Sequence, residues 1–486
     1  MSHRLPSVTR LPIRLDPDPR RVITRLFSPG DPQRIRRIIR HVLAMTSDEQ
    51  ERLMQRLRED FGARHPDPGE ALEANYAAVR SYVDDEARLG ALQRQLIGAY
   101  FTMEYAIESA ALFNPSMVPA ADQTDVPPGS TRFLISLRAT GEGHLSSIVF
   151  RRGLIDADGT LHIDPASPHS RSLKVVADQV YDKETFLLKL IETGGYTDLA
   201  DTVLDRLGAS FALHELIDAL ERLRHLCEGP ASLDATADRM LTLARSNYEL
   251  EIPGGVDPSE FVIFPHSDSE RRGIEDLRLV RFTDDDGSQR YYGTYTAYNG
   301  ERILPQMLEL PDPRTVRVHT LGGAAAQNKG MALFPRKLDG RYVMVSRLDN
   351  ENLYLMTSDN VRFWNEAEVL QRPRFAWELV QIGNCGSPIE TDAGWLLLTH
   401  GVGPMRQYGI GATLLDRDDP SRILGQTAEP LMMPLGEERA GYVPNVVYSC
   451  GAMAHNGTLI IPYAMSDMST SFATVRLAEL LAALRD

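Results

Sequence analysis

Chemistry in this chain of 486 residues begins at Glu275 and Asp276, adjacent carboxylates that stand beside Arg278 in the segment GIEDLRL. Side chains alternate along a strand, so neighbours face opposite ways. One carboxylate is therefore expected to serve a pocket and the other the framework. Polar residues recur at comparable places. Asn114, with Ser116 in NPS, pairs with Arg138, Asp276 with Tyr295, Lys329 with Arg347, Asn384 with His400, and Asn445 with Asp467. Each pair brackets a predicted hairpin, where antiparallel pairing sets the start of one strand beside the end of the next. Any single residue here is as well explained by capping a strand or satisfying a turn. Five repeats doing so together point to one polar pocket. Asn114, Ser116, Arg138, Glu275, Tyr295, Asn445 and Asp467 then offer amides, hydroxyls and charges of the kind that hold sugar hydroxyls.

The elements that must position these residues repeat. Five times a short strand leads through a glycine turn into a second strand: GSTRFLISLR from Gly129, GSQRYYGTYT from Gly287, GRYVMVSR from Gly340, GWLLLTHG from Gly394 and GTLIIPYA from Gly457. Asp286-Gly287, Asp339-Gly340 and Asn456-Gly457 are hairpin signals, because these residues tolerate positive φ. The last four turns recur at roughly 50–60 residues, the spacing of propeller blades. The longer first interval shrinks once a helical stretch is removed. The fold predicted is mostly β, a five-bladed β-propeller, with an irregular sandwich as the alternative. A helical N-terminal region (1–102) precedes the first blade (103–182), a helical insertion (183–250) follows it, and the remaining blades occupy 251–486. Segments such as SDEQERLMQRLREDFG and LHELIDALERLRHL carry the helical periodicity. Tyr295, Tyr298, Trp364, Trp377, Trp395 and Tyr442 offer stacking surfaces, although most propeller aromatics are core.

Composition narrows the classes. A net charge of −15 argues against a nucleic-acid partner. The arginines of QRIRRIIRHVL read as the solvated face of an amphipathic helix. No apolar run reaches a membrane span, and Met1–Arg21 lacks the apolar core of a secretory signal. Cys227, Cys385 and Cys450 are too few and too scattered for a disulfide framework or a zinc site. A cytoplasmic, reducing compartment is expected, with no metal.

The segments FNPS, GIEDLRL, GTYTAYNG, KGMALFPRKLDGRYVMVSR, IGNCGSPIETDAGWLLLTHGV, GATLLDRDDPSRILGQTAEP and GYVPNVVYSCG resemble, in order and spacing, those of glycoside hydrolase family 130. That family comprises mannoside phosphorylases and related β-mannosidases. The resemblance runs from Phe113 to Leu484 and is interrupted by the helical block. It implies cleavage of a β-mannoside with inversion on a five-bladed propeller, with Asp276 as acid and Leu277 where the family has Pro. Such an acid must stay protonated near neutral pH, so a raised pKa is expected. The resemblance also implies a phosphate or nucleophile pocket of Lys329, Arg347, His400 and Tyr408, with Gln381 where family phosphorylases carry a Lys. Retention of two cations and His400 weighs toward phosphorolysis to mannose 1-phosphate, with a β-mannoside oligosaccharide as substrate, inorganic phosphate as co-substrate and no other cofactor. The alternatives are an inverting β-mannosidase, with Glu390 as base, and a non-catalytic glycan-binding propeller. The linkage stays open between β-1,2 and β-1,4. For the helical block two roles stand open, covering the pocket mouth or forming the interface of a homo-oligomer.

Overall fold

A computed structural model describes residues 6–65, 68–176, 179–192, 194–226 and 230–485. Met1–Leu5 and Cys227 lie outside them. The chain is mostly β, and its strands form five principal antiparallel sheets. Each starts from a strand that carries or closely follows candidate site residues: Ala111–Pro119, Ile274–Thr283, Lys329–Leu333, Gln381–Asn384 and Val447–Tyr448. The second strands, Thr131–Thr140, Gln289–Tyr298, Tyr342–Arg347, Gly394–Val402 and Thr458–Met465, return through the glycine turns. Gly129, Gly287, Gly340 and Gly457 all adopt positive φ there.

Near-continuous buried runs on these strands give the sheets two faces to bury. Neighbouring sheets share the resulting cores. Val118 and Phe150 of the first sheet pack with Leu277 and Leu279 of the second, and Phe282 and Met307 of the second with Met331 and Met344 of the third. Phe334 and Val345 of the third meet Trp395 and Leu397 of the fourth, whose Leu398 and Ile410 meet Ile461 and Tyr463 of the fifth. Finally Ile460 and Phe472 of the fifth pack with Leu112 and Phe133 of the first. Hydrogen bonds follow the same order. Leu279 N donates to Ser116 Oγ at 2.9 Å, Thr294 Oγ1 to the Met331 carbonyl, and Asn384 Nδ2 to the Gly330 carbonyl. Tyr408 N donates to the Asn445 carbonyl at 3.0 Å, and Cys450 N to that of Pro115 at 2.8 Å.

Three expectations about organisation need correction. The first hundred residues are not all helical. Thr9–Leu15 is a strand whose inward side chains need a sheet, and it pairs with Ser469–Arg476 to form the edge of the fifth sheet. Val22–Leu26 pairs with Thr102–Ala106. Helices Pro32–Leu43, Ser47–Phe61, Pro68–Val79 and Ala91–Tyr100 then bury their own core around Ile39, Met54, Tyr76 and Leu96. The first sheet also does not end before the insertion, because Phe261–Ile263 pairs with Ser146–Ile155 from beyond it. The insertion buries Leu190, Phe211, Leu220 and Met240 together, yet its last stretch, Tyr248–Glu251, is a strand of the second sheet. Among the described residues no helix is long and apolar enough to cross a membrane.

Candidate active site

The first strands of the first three sheets share a local irregularity where the polar residues gather. Asn114 (φ 49°) and Asp276 (φ 57°) are left-handed and sit at register breaks, between Phe113 and Ser116 and between Glu275 and Arg278. Gly330 (φ 77°) occupies the matching break between Lys329 and Ala332. Short Asn, Asp and Gly tolerate this conformation, and a bulge re-aims the side chains around it. This overturns the expectation that Glu275 and Asp276 face opposite ways. With alternation broken at Asp276, both carboxylates reach one guanidinium: Arg138 Nη2 lies 3.0 Å from Glu275 Oε1 and Nη1 lies 3.6 Å from Asp276 Oδ1.

Around these carboxylates the packing is dense. Asn114 Nδ2 donates to Asp276 Oδ1 at 2.6 Å, and Lys329 Nζ donates to Glu275 Oε2 at 2.7 Å. Burial alone would raise the Asp276 carboxyl. Arg138, Arg278 and Lys329, with the Asn114 amide, outweigh it and hold the pKa below the usual carboxylate range. The expected raised pKa is therefore not found at Asp276. Asp467 is the group that is raised: burial and the Asp276 charge push it up to about 6, against Arg138 and Arg406.

Arg278 ties this cluster to a second one. It is 3% exposed, and its Nη1 donates to the Asp276 carbonyl at 2.9 Å, Nε to Asn384 Oδ1 at 3.2 Å and Nη2 to the Tyr448 hydroxyl at 2.5 Å. The carbonyl of Asn384 accepts from His400 Nδ1 at 3.1 Å, which leaves Nε2 as the acceptor facing Arg347 Nη1 at 3.4 Å. Burial, then Arg347 and Arg278, press the His400 pKa well below its ordinary value, so the ring is neutral. It lies parallel to Tyr408, centroids 6.1 Å apart, and edge-on to Tyr448. Gly383 makes room for it, since a Cβ there would come within 2.4 Å of His400 Cε1. Gln381 turns its amide to the same place, its oxygen accepting from Arg347 Nη1 and its nitrogen donating to the Asn350 carbonyl at 3.2 Å. Among the described residues no carboxylate lies within ion-pair distance of Arg347.

Four candidates stand apart. Ser116 is fully buried, its hydroxyl taken by Leu279 N. Tyr295 turns into the core and donates to Glu270 at 2.7 Å. Asn445 accepts from Arg439 at 2.9 Å through its side chain and from Tyr408 through its backbone. Glu390, the expected alternative base, is paired with Arg336 at 2.8 Å and Arg417 at 3.2 Å. It lies on a strand that opposes the turn-side end of Gly394–Val402, away from His400. Sequence reasoning named Arg278 and Asn384 near the pocket without giving them a role, and passed over Tyr448. The signal for Arg278 was its place two residues after Asp276; Tyr448 offered only a hydroxyl in VVYSCG. No metal-holding group of His, Cys, Asp and Glu occurs among the described residues. Cys385 and Cys450 are buried free thiols.

Carboxylates and cations gathered at strand ends form one polar site, and comparison with known proteins gives the chain a family. The profile of glycoside hydrolase family 130, described as β-1,4-mannooligosaccharide phosphorylase, matches residues 256–486. A 1,2-β-oligomannan phosphorylase of Thermoanaerobacter sp. (strain X514) is 31% identical over 223 residues, covering 45% of this chain and 73% of that protein. A β-1,2-mannobiose phosphorylase of Listeria innocua is 27% identical, covering 45% of this chain and 62% of its own. A β-1,4-mannooligosaccharide phosphorylase of Ruminococcus albus is 35% identical over 162 residues, 30% of this chain and 48% of its own. The solved Listeria innocua β-1,2-mannobiose phosphorylase, in complex with β-1,2-mannobiose, superimposes with a TM-score of 0.44 at 19% identity, over 78% of this chain and 93% of that one. The chain belongs to glycoside hydrolase family 130.

Proposed function

We propose that this protein is a β-mannoside phosphorylase, its five sheets being the blades of a propeller with the site on the axis. The helices before residue 102 and between 183 and 250 are additions to those blades. The cyclic order of shared cores supports the propeller. Phosphorolysis is supported above all by Arg347, a guanidinium without a carboxylate partner among the described residues, aimed beside a neutral His400. Such a group is suited to bind two oxygens of one phosphate. The relatives' names point the same way. Two buried free thiols fit a reducing, cytoplasmic setting.

In the proposed reaction a phosphate oxygen held by Arg347 attacks the anomeric carbon as the bond to the leaving oxygen breaks on the opposite face. Inversion yields mannose 1-phosphate, and the leaving oxygen takes a proton from Asp276, relayed through a sugar hydroxyl. Its surroundings hold the Asp276 pKa low, so substrate binding must change that balance. A neutral sugar inserted between Asp276 and its cations, with phosphate dianion beside Lys329 and Arg347, weakens every influence that lowers its pKa. Asn114, Arg138, Glu275 and Asp467 are the groups proposed to hold the mannoside. Hydrolysis is the weaker reading, because Glu390 is already engaged by two arginines.

β-1,2- and β-1,4-mannobiose incubated with and without inorganic phosphate test the proposal. Mannose 1-phosphate formed only with phosphate is expected. Free mannose released at the same rate without phosphate would overturn it in favour of hydrolysis.

A further inference from the structure

Glu270 is fully buried and sits in the turn Asp268–Glu270, a few residues before the bulge that carries Glu275 and Asp276. Four donors converge on its carboxylate. Oε1 accepts from the hydroxyls of Tyr248 at 2.9 Å and Tyr295 at 2.7 Å, while Oε2 accepts from His266 N at 2.9 Å and Ser267 N at 3.0 Å. The two backbone donors come from the same turn, and the two tyrosines come from different strands. Tyr295 lies on the strand opposite the bulge, between Thr294 (the partner of Arg278) and Thr296 (the partner of Glu275). Tyr248 opens the strand that leaves the helical insertion. A serine relay joins the same two regions: Ser246 Oγ, directly after helix Pro230–Arg245, lies 2.7 Å from Ser269 Oγ, which lies 2.9 Å from Ser267 Oγ. Beyond Glu270 the path to the acid is short and tightly set. Gly273 N donates to the Glu270 carbonyl at 2.6 Å. At φ 125° Gly273 passes so close to Ser146 that a Cβ would come within 2.4 Å of its hydroxyl, and that hydroxyl holds the Ile274 carbonyl at 2.9 Å.

From this we infer that Glu270 is a positioning residue for the Glu275–Asp276 bulge, and that through Tyr248 it couples the helical insertion to the acid. Burial and the Glu270 charge keep both tyrosines well above the ordinary phenol range, so both remain donors. Glu270 touches neither Asp276 nor Glu275. Its effect runs through the placement of the backbone on both sides of the bulge. Arg347 and His400, on the third and fourth sheets, lie off this path.

The inference rests on the proposed activity, and the test separates the two. Tyr248→Phe in the full chain removes the hydroxyl tie from the insertion to Glu270 and leaves the serine relay in place. Glu270→Gln keeps the shape but sets an amide against four donors. For Tyr248→Phe we expect kcat on mannobiose to fall about tenfold, and for Glu270→Gln about a hundredfold, the scale of small misplacements of a catalytic group. The phosphate KM should stay within about twofold of wild type, whereas the acid limb of the pH profile moves. Without substrate, hydrogen exchange in a peptide spanning 270–278 should be faster in Tyr248→Phe than in wild type. Unchanged kcat and unchanged exchange would overturn the inference. So would a loss of kcat that matches the unfolded fraction, or a phosphate KM that rises by the same factor. If the wild type cleaves no β-mannoside, the proposed activity fails, and exchange at 270–278 alone decides whether the coupling exists.

Discussion

The two halves of the site use charge in opposite ways. On the acid side Asp276, Glu275, Arg138 and Lys329 are already paired with one another. On the other side Arg347 faces a neutral imidazole and an amide. A paired cluster is preorganised but must be opened to work. An unpaired guanidinium is poised to take an anion from solution. In the proposed reaction the proton-transfer half is thus assembled from the chain's own residues, whereas the nucleophile half needs phosphate to complete it.

The contrast is sharpest in Asp276→Asn. Removing the proton donor should lower kcat by about a thousandfold with the phosphate KM little changed, measured by mannose 1-phosphate release. Equal loss in both parameters would erase the distinction between the halves. Arg347→Lys attacks the other half. A point charge replacing a planar fork should raise the phosphate KM about tenfold and leave the mannoside KM near wild type.

Asp467→Asn probes the strain of crowded carboxylates. Because its folded pKa is raised to about 6, the stability linked to Asp467 is fully present below its unfolded pKa and is lost as pH rises through the folded one. The neutral variant should therefore be more stable than wild type by up to about 2 kcal/mol above pH 6, with the gap closing near pH 4. Thermal melts at both pH values check the sign. The smallest effect belongs to Glu390→Gln: loss of exposed ion pairs should cost under about 1 kcal/mol and leave turnover in phosphate unchanged. A collapse of turnover there would bring Glu390 back as a base.

Much of this site was legible in the residues. Glycine turns and alternating strands marked the hairpins, and hairpin ends paired Lys329 with Arg347 in the observed register. What misled was strict alternation at Glu275-Asp276, because a left-handed Asp is invisible in a periodic pattern. Tyr295 and Ser116 misled for a related reason. A polar residue at a strand end reads alike whether it faces a pocket or a buried partner such as Glu270 or Leu279 N.

The strand Thr9–Leu15 shows a second limit. Its text carries no sign that its partner lies at Ser469–Arg476, near the far end of the chain.

By itself the sequence determined the repeating hairpins, the family and the candidate residues, since these depend on local turn chemistry and on the wording of short segments. Only the tertiary structure decided which carboxylate of the site carries the raised pKa, that Arg347 has no carboxylate partner among the described residues and how the insertion reaches Glu270. Each of those depends on charges and donors brought together from distant parts of the chain, where burial strengthens every interaction and no local pattern records it.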